Sequence, residues 1–298
     1  MSYRTDLAVE ALDYAEANEA APHMRGFTRT EEQAEGFSIT KLVIHTEEVS
    51  QALEKPCGTY ATLGLGALIR REEDAFPRAC HALARLLREL LEGDDEESAV
   101  LVTGLGNRSI TPDAVGPLAV DHIIATRHLV AHVPEHFAGW RPVSAVAPGV
   151  LGQTGVEAGE ILRSLCDAVS PAAVIAVDAL ATGRLSNLTR TIQVTDTGIV
   201  PGSGVGNARS ELSRRTLGVP VIAVGVPTVV DGATIAHEIC TQAGVTGCEA
   251  LDDLAQPVLV TSRDIDREAA DVARVIGYGI NLALHPRLSV EDVDLYLS

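Results

Sequence analysis

Aromatic residues are scarce in this chain. Phe, Trp and Tyr make up 3% of its 298 residues, and there is a single Trp. Val, Ile, Leu and Ala must therefore fill the core, and such residues suit parallel sheets covered by helices. Cysteine is also sparse. The five, Cys57, Cys80, Cys166, Cys240 and Cys248, are odd in number and contain no C-x-x-C pair. This argues against a disulfide framework and a structural zinc site, and it fits a reducing compartment. No apolar run is long enough to cross a bilayer, and the N-terminus Met-Ser-Tyr-Arg-Thr-Asp has no secretory core. The expected location is the cytoplasm, with no membrane partner. Positive charge is short too: 23 Lys and Arg stand against 41 Asp and Glu, a net charge of −18. A chain of that charge repels phosphate, so nucleic acid is not an expected partner.

What is present is a globular balance of 46% hydrophobic and 21% charged residues, enough to bury a sizeable core. Strand-like runs occur at 39–45 and 58–65. The segment 75–91 is read as a long helix, because Leu83, Leu86, Leu87, Leu90 and Leu91 make one stripe. A turn is expected at 92–97. Strands are expected at 100–105, 142–146, 172–177, 191–194 and 219–226. Helices are expected near 6–17 and at 113–129, 155–169, 210–217, 231–243 and 264–284, with an irregular connection at 244–256. Alternation of this kind predicts an α/β fold: a mostly parallel sheet with helices on both faces.

In an open parallel sheet, ligands bind beyond the carboxyl ends of the strands. Five of the expected strands release small, polar or glycine-rich segments there. These include Gly106-Asn107-Arg108-Ser109-Ile110-Thr111-Pro112-Asp113, Asp178-Ala179-Leu180-Ala181, Thr195-Asp196-Thr197-Gly198 and Pro201-Gly202-Ser203-Gly204-Val205-Gly206-Asn207. Asp178 follows a six-residue apolar strand, where a carboxylate is expensive unless it is paired or hydrogen-bonded. Asp113 follows Thr-Pro at an expected helix start. The competing reading for each is a helix cap. Two carboxyls brought together cannot both ionise easily, so one keeps its proton and the pair can act as acid and base around a water. Spacing does not separate Asp196 from these two. The loop Gly202-Ser203-Gly204 and Asn107 are candidates for substrate or oxyanion binding.

Other motifs fall short. Gly104-Leu-Gly-Asn-Arg-Ser109 lacks the third glycine of a dinucleotide fingerprint. Pro201-Gly-Ser-Gly-Val205 lacks the leading glycine of a nucleophile elbow. His128 and His132 stand four apart without the metalloprotease glutamate, and read as an ordinary helix face. Cys166 and Cys240 read as buried packing residues.

Several segments together resemble the germination protease family. They are Gly104-Leu-Gly-Asn107, Thr111-Pro-Asp-Ala-Val-Gly-Pro117, Pro148-Gly-Val-Leu-Gly-Gln-Thr-Gly155, Asp178-Ala-Leu-Ala181, Thr195-Asp-Thr-Gly-Ile199, Pro201-Gly-Ser-Gly-Val-Gly-Asn207 and Gly225-Val-Pro-Thr-Val-Val-Asp231. The resemblance implies an endopeptidase that degrades small acid-soluble spore proteins during germination, located in the spore core. It also implies a homotetramer made as a self-cleaving zymogen, and an atypical aspartic mechanism with no metal or other cofactor. The fold it implies resembles that of hydrogenase maturation proteases, a phosphorylase/hydrolase-like fold. The family's two proposed catalytic aspartates fall on Asp113 and Asp178. Its substrates are cut after the acidic residue of a Thr-Glu-(aromatic or aliphatic)-Ala sequence, which Thr5-Asp6-Leu7-Ala8 mimics. Self-cleavage is thus expected between Asp6 and Leu7, leaving residues 1–6 as a short pro-segment and 7–298 as one α/β peptidase domain.

The chain departs from the family in three places. Only four residues precede Thr5, the 244–256 stretch is shorter, and Thr182-Gly183-Arg184 follows the Asp178 motif where the family often has Arg-Ser. Two alternatives stand beside the aspartic reading. One is a metal-dependent maturation-type protease of the same fold, with Asp113 and a histidine as ligands. The other is a non-enzymatic scaffold that binds a peptide or protein.

Overall fold

The structure, a computed structural model, describes residues 4–17, 25–91, 97–206, 209–245 and 258–298. Most of the expected 92–97 turn, Asn207, Cys248 and most of the 244–256 connection lie outside the described residues.

Among the described residues nine strands form one sheet. They are β1 (Phe27–Ala34), β2 (Phe37–Ile44), β3 (Gly58–Gly64), β4 (Val100–Gly104), β5 (Val143–Val146), β6 (Ala173–Thr182), β7 (Thr191–Thr195), β8 (Val221–Asp231) and β9 (Leu259–Val260). The order is β1-β2-β3-β7-β8-β6-β4-β5, with β9 on β8. The expected α/β architecture is present, and its parallel part is β8-β6-β4-β5. An antiparallel extension, β1-β2-β3-β7, continues the sheet from β8.

The apolar residues of β6 explain how the sheet is covered. Successive strand residues point to opposite faces. Ala173, Ile175 and Val177 pack in one core with the amphipathic helices Ala75–Leu90 and Ile265–Leu284. Val174 and Ala176 pack in another, with Leu162 and Cys166 of the helix Ala158–Val169. On that second face, Leu42, Ile44 and Tyr60 of β2 and β3 pack with Ala8, Leu12 and Ala15 of the helix Ala8–Ala17. Helices thus lie on both faces. On the second face, the middle of the sheet falls between two separate clusters, and Asp178 of β6 and Gln193 of β7 share that face.

Several boundaries differ from the sequence reading. The strand expected at 172–177 runs on to Thr182, so Asp178 sits inside β6 and not at its end. The helix expected at 113–129 is broken. A 3-10 turn, Thr111–Asp113, precedes a helix of only six residues, Val115–Val120, and a second helix, Arg127–His132, follows. The chain between those helices is drawn onto β5. There the Thr126 N–H donates to the Val143 carbonyl (3.0 Å) and the Val143 N–H donates to the Thr126 hydroxyl (2.8 Å). The helix expected at 210–217 shortens to Arg214–Leu217. Cys166 is buried as expected, whereas Cys240 is only half-buried. His128 and His132 are exposed on their helix. No described helix is long and apolar enough to cross a membrane.

Candidate active site

Three glycines bring Asp113 to Asp178. Gly104 ends β4, Gly106 follows it with φ +108°, and Gly116 lies in the short helix after Asp113. A Cβ on Gly104 would overlap the Gly116 carbonyl, and one on Gly106 would overlap the Asp113 carbonyl. Only bare backbone allows the Asp113 segment to lie this closely on the β4 end. Thr228 adds a tether. β8 carries an extra residue there, opposite the step from Leu180 to Ala181. A bulge of this kind re-aims a side chain, and the Thr228 hydroxyl donates to the Pro112 carbonyl at 2.6 Å.

Neither aspartate caps a helix. Asp113 turns its carboxylate back to accept the Asn107 N–H at 2.8 Å. Asp178, 4% exposed, accepts the Ala179 N–H at 2.9 Å. Burial pushes the Asp178 carboxyl well above the ordinary aspartate range, the nearby Asp113 charge pushes it further, and Asp6 adds to the shift; the Ala179 N–H opposes them. Burial also raises the Asp113 carboxyl, against the opposing Asn107 N–H. Both line a cavity of about 560 Å³ with Gly106, Asn107, Gly204 and Asp6. The two carboxyls thus lie near enough for the Asp113 charge to act on Asp178.

The other expected residues divide. Asn107 joins the site through its N–H to Asp113, while its side-chain oxygen accepts from Gln153 Nε2 at 2.8 Å and from the Ser109 N–H at 3.0 Å. Asp196 does not join the pair. Its carboxylate accepts the Thr59 N–H at 2.8 Å and pins β7 to the start of β3. Gly202, at φ +72°, starts the turn that presents Ser203. The Ser203 hydroxyl donates to Asp6 Oδ1 at 2.8 Å, and the Ala181 N–H donates to Asp6 Oδ2 at 2.8 Å. Gly204 lets the Asp6 carboxylate lie against the loop, where a Cβ would overlap it. The Asp6 N–H donates to the Ala181 carbonyl at 2.9 Å, so Asp6 is tied to Ala181 through both its backbone and its carboxylate. Leu7 is buried at 2% exposure.

The sequence reading missed Glu10, Lys55 and Gln193. Glu10, 2% exposed, accepts from Thr5 Oγ1 (2.5 Å), the Gly183 N–H (2.8 Å), Asn187 Nδ2 (2.5 Å) and the Thr182 hydroxyl. Lys55 Nζ donates to the Thr5 carbonyl at 3.0 Å, and burial lowers its pKa against the opposing charges of Asp6, Glu54 and Glu10. The available signal was a polar residue inside an apolar pattern: Glu10 on the helix 6–17, and Gln193 between Ile192 and Val194.

A metal reading needs a histidine beside Asp113. His122 instead faces Tyr278, with ring centroids 6.0 Å apart, and His285 faces Trp140 at 4.9 Å. Among the described residues no group of three or more His, Cys, Asp or Glu is placed to hold an ion.

The sheet thus delivers a buried carboxyl, Asp178, and a half-buried one, Asp113, to one cavity, a placement suited to acid–base chemistry. Comparison with known proteins makes the class specific. The family model described as germination protease matches residues 5–242. A germination protease of Caldanaerobacter subterraneus subsp. tengcongensis is 41% identical, covering 100% of this chain and 98% of the relative. One from Clostridium tetani is 38% identical over 100% of both, and one from Bacillus licheniformis 35% identical over 98% and 96%. The chain belongs to the germination protease family, and it is a peptidase. Among solved structures, a [NiFe] hydrogenase maturation protease, HycI, from Thermococcus kodakarensis KOD1 aligns with 65% of this chain and 98% of its own at 16% identity, with a TM-score of 0.34.

Proposed function

We propose that this chain is an aspartic-type endopeptidase that starts the degradation of small acid-soluble spore proteins at germination. It is made as a zymogen that cuts itself between Asp6 and Leu7, so that residues 1–6 are the pro-segment and 7–298 the peptidase domain. A homotetramer in the spore core belongs to the same proposal and rests on family membership. The observation that carries the catalytic reading is the buried Asp178 beside Asp113, in a cavity that Asp6 also lines.

The chemistry follows from the two environments. Asp178, the deeper carboxyl, holds the proton, and Asp113 is the base that takes a proton from water. The water oxygen attacks the carbonyl carbon of the acidic residue. The tetrahedral adduct collapses as the protonated carboxyl gives its proton to the leaving nitrogen. Full activity needs one carboxyl ionised and the other protonated. Both are raised, so the pH–rate profile is expected to be a bell displaced upward from the ordinary aspartate range. Its acid limb follows ionisation of the pair's first proton, and its alkaline limb follows loss of the second. A profile of kcat/KM that is flat across pH 4–9, a span wide enough to bracket both steps, contradicts the dyad.

The Asp6 cradle supports cleavage after an acidic residue. Two donors meet its carboxylate, and charged hydrogen bonds contribute about 1.5–3 kcal/mol. Asp6→Ala is therefore expected to slow self-cleavage about ten- to hundredfold, followed by intact mass over time. Processing of Asp6→Ala at the wild-type rate would remove the cradle from the account.

A further inference from the structure

Gln193 lies in the middle of β7 and is 5% exposed. A buried amide must find partners for both of its ends. Neither end turns to its own sheet. Its Nε2 donates to the carbonyl of Asp6 at 3.2 Å, and its Oε1 accepts the N–H of Ala8 at 2.8 Å. Those two groups flank one residue, Leu7. The Asp6 carbonyl is the carbonyl of the Asp6–Leu7 bond, and the Ala8 N–H lies one residue beyond it. The amide thus spans Leu7, the residue after the proposed cut, as a neighbouring strand would.

The sheet register places the amide on the same face as Asp178, and Asp6 lines both the cavity of the aspartates and the one beside Gln193. Asp178 of β6 and Gln193 of β7 both pair with Gly225, from opposite sides of β8. Directly paired residues project to the same face, so Asp178, Gly225 and Gln193 form one row across three strands. Gly225 has no side chain, and the Leu180 side chain of β6 lies over it, between Asp178 and Gln193. Asp6 reaches from the cavity of the aspartates to Gln193, which holds its carbonyl.

We infer that Gln193 is a catalytic residue: its side-chain amide donates to the oxyanion formed at the scissile carbonyl and, through its other end, fixes the register of the bond to be cut. This rests on the proposed cleavage after Asp6, and it extends to protein substrates that occupy the same row after residues 1–6 leave. In the step itself, water adds through oxygen to the carbonyl carbon and gives its proton to the ionised carboxyl. The carbonyl π pair moves onto oxygen, and the Gln193 Nε2–H hydrogen-bonds that charge. When the pair returns, the C–N bond breaks and the nitrogen takes a proton from the protonated carboxyl. Gln193 exchanges no proton. Its contribution is a donor fixed in place before charge develops.

The test uses the full chain with two variants, each measured on self-cleavage and on a Thr-Glu-Ile-Ala peptide. Gln193→Met removes both hydrogen bonds at similar volume. Gln193→Glu keeps the acceptor for the backbone N–H and replaces the donor with a negative charge. Loss of an oxyanion donor lowers kcat by about 10²–10³-fold, and both variants are expected to show this with KM changed much less. A rise in KM with kcat retained makes Gln193 a binding residue only and overturns the inference. Wild-type rates in Gln193→Met, alongside an active wild type, overturn it alone. A wild type that cuts neither itself nor the peptide overturns the peptidase reading with it. If both variants melt early, the wild-type enzyme decides, acting on a peptide N-methylated at its Ala. Loss of that N–H is expected to lower kcat/KM about three- to tenfold, and an unchanged value overturns the inference.

Discussion

Asp178→Asn is expected to abolish cleavage and to leave a folded protein that is more heat-stable than the wild type at neutral pH. Asn has the shape of Asp but can neither hold nor release the catalytic proton, and general acid–base groups contribute about 10²–10⁴-fold. The Ala179 N–H that now meets the carboxylate can still donate to the Asn oxygen. The stability effect has a definite sign. Burial, with Asp113 and Asp6 nearby, holds the folded pKa of Asp178 well above its ordinary value. A raised folded value means that the stability from this group is fully present below the ordinary aspartate value and is lost as pH rises through the folded value. Asn does not titrate. The Tm advantage of Asp178→Asn over wild type is therefore small at acid pH and widens with rising pH until Asp178 is fully ionised. Thermal melts across that range test it, and a constant difference between the two proteins would show that Asp178 is not held protonated. Asp113→Asn should show the same trend, since burial raises that carboxyl too.

Gly116→Ala is expected to damage both stability and activity, although Gly116 touches no substrate. Its Cβ would overlap the Leu105 carbonyl and sit 2.6 Å from both the Leu105 nitrogen and the Val177 carbonyl. That nitrogen and that carbonyl form the 2.8 Å hydrogen bond joining the end of β4 to β6, one residue before Asp178. The methyl must push apart the two elements that carry the aspartates. Forced overpacking costs about 1–3 kcal/mol, and a misplacement of about 1 Å at reacting groups can lower rates about a hundredfold. Denaturation midpoint and peptide cleavage are both expected to fall. Gly152→Ala is the stability comparison, because nothing lies within 4 Å of its added Cβ; its midpoint should hold or rise. An unchanged midpoint in Gly116→Ala would mean that the β4–helix contact is looser than its geometry implies.

The parallel part of the sheet was legible because β4, β6 and β8 are buried on both faces and read as apolar runs. Asp178 stood out for the same reason, as one charge after six apolar residues. Its exact setting was not legible. Ala179, Leu180 and Ala181 also suit a strand, and only the pairing with β8 extends β6 through them. β1 escaped notice because it is an edge strand with mostly exposed, Glu-rich residues. The helix expected after Asp113 was overextended, since the forces that end it are non-local. Arg108 donates to the Pro117 carbonyl and pairs with Asp121, while Thr126 is tied to β5. Ser203 and Asn107 were found as members of polar loops. Gln193 and Glu10 were not, because each is a single polar residue in an apolar pattern. Their partners lie as far as 187 positions away for Gln193 and 177 for Glu10. Periodicity marks such residues as exceptions but cannot say what they meet. Asp196, equal to the other two in sequence, was separated by one contact, the Thr59 N–H that turns its carboxylate toward β3.

The most direct test of the aspartic dyad is product mass. A Thr-Glu-Ile-Ala peptide is incubated with the wild-type chain, with Asp113→Asn and with Asp178→Asn, and the products are weighed. A single cut after Glu by the wild type, and none by either variant while both still melt cooperatively, is the predicted result. Cleavage at the wild-type rate by both folded variants would contradict it.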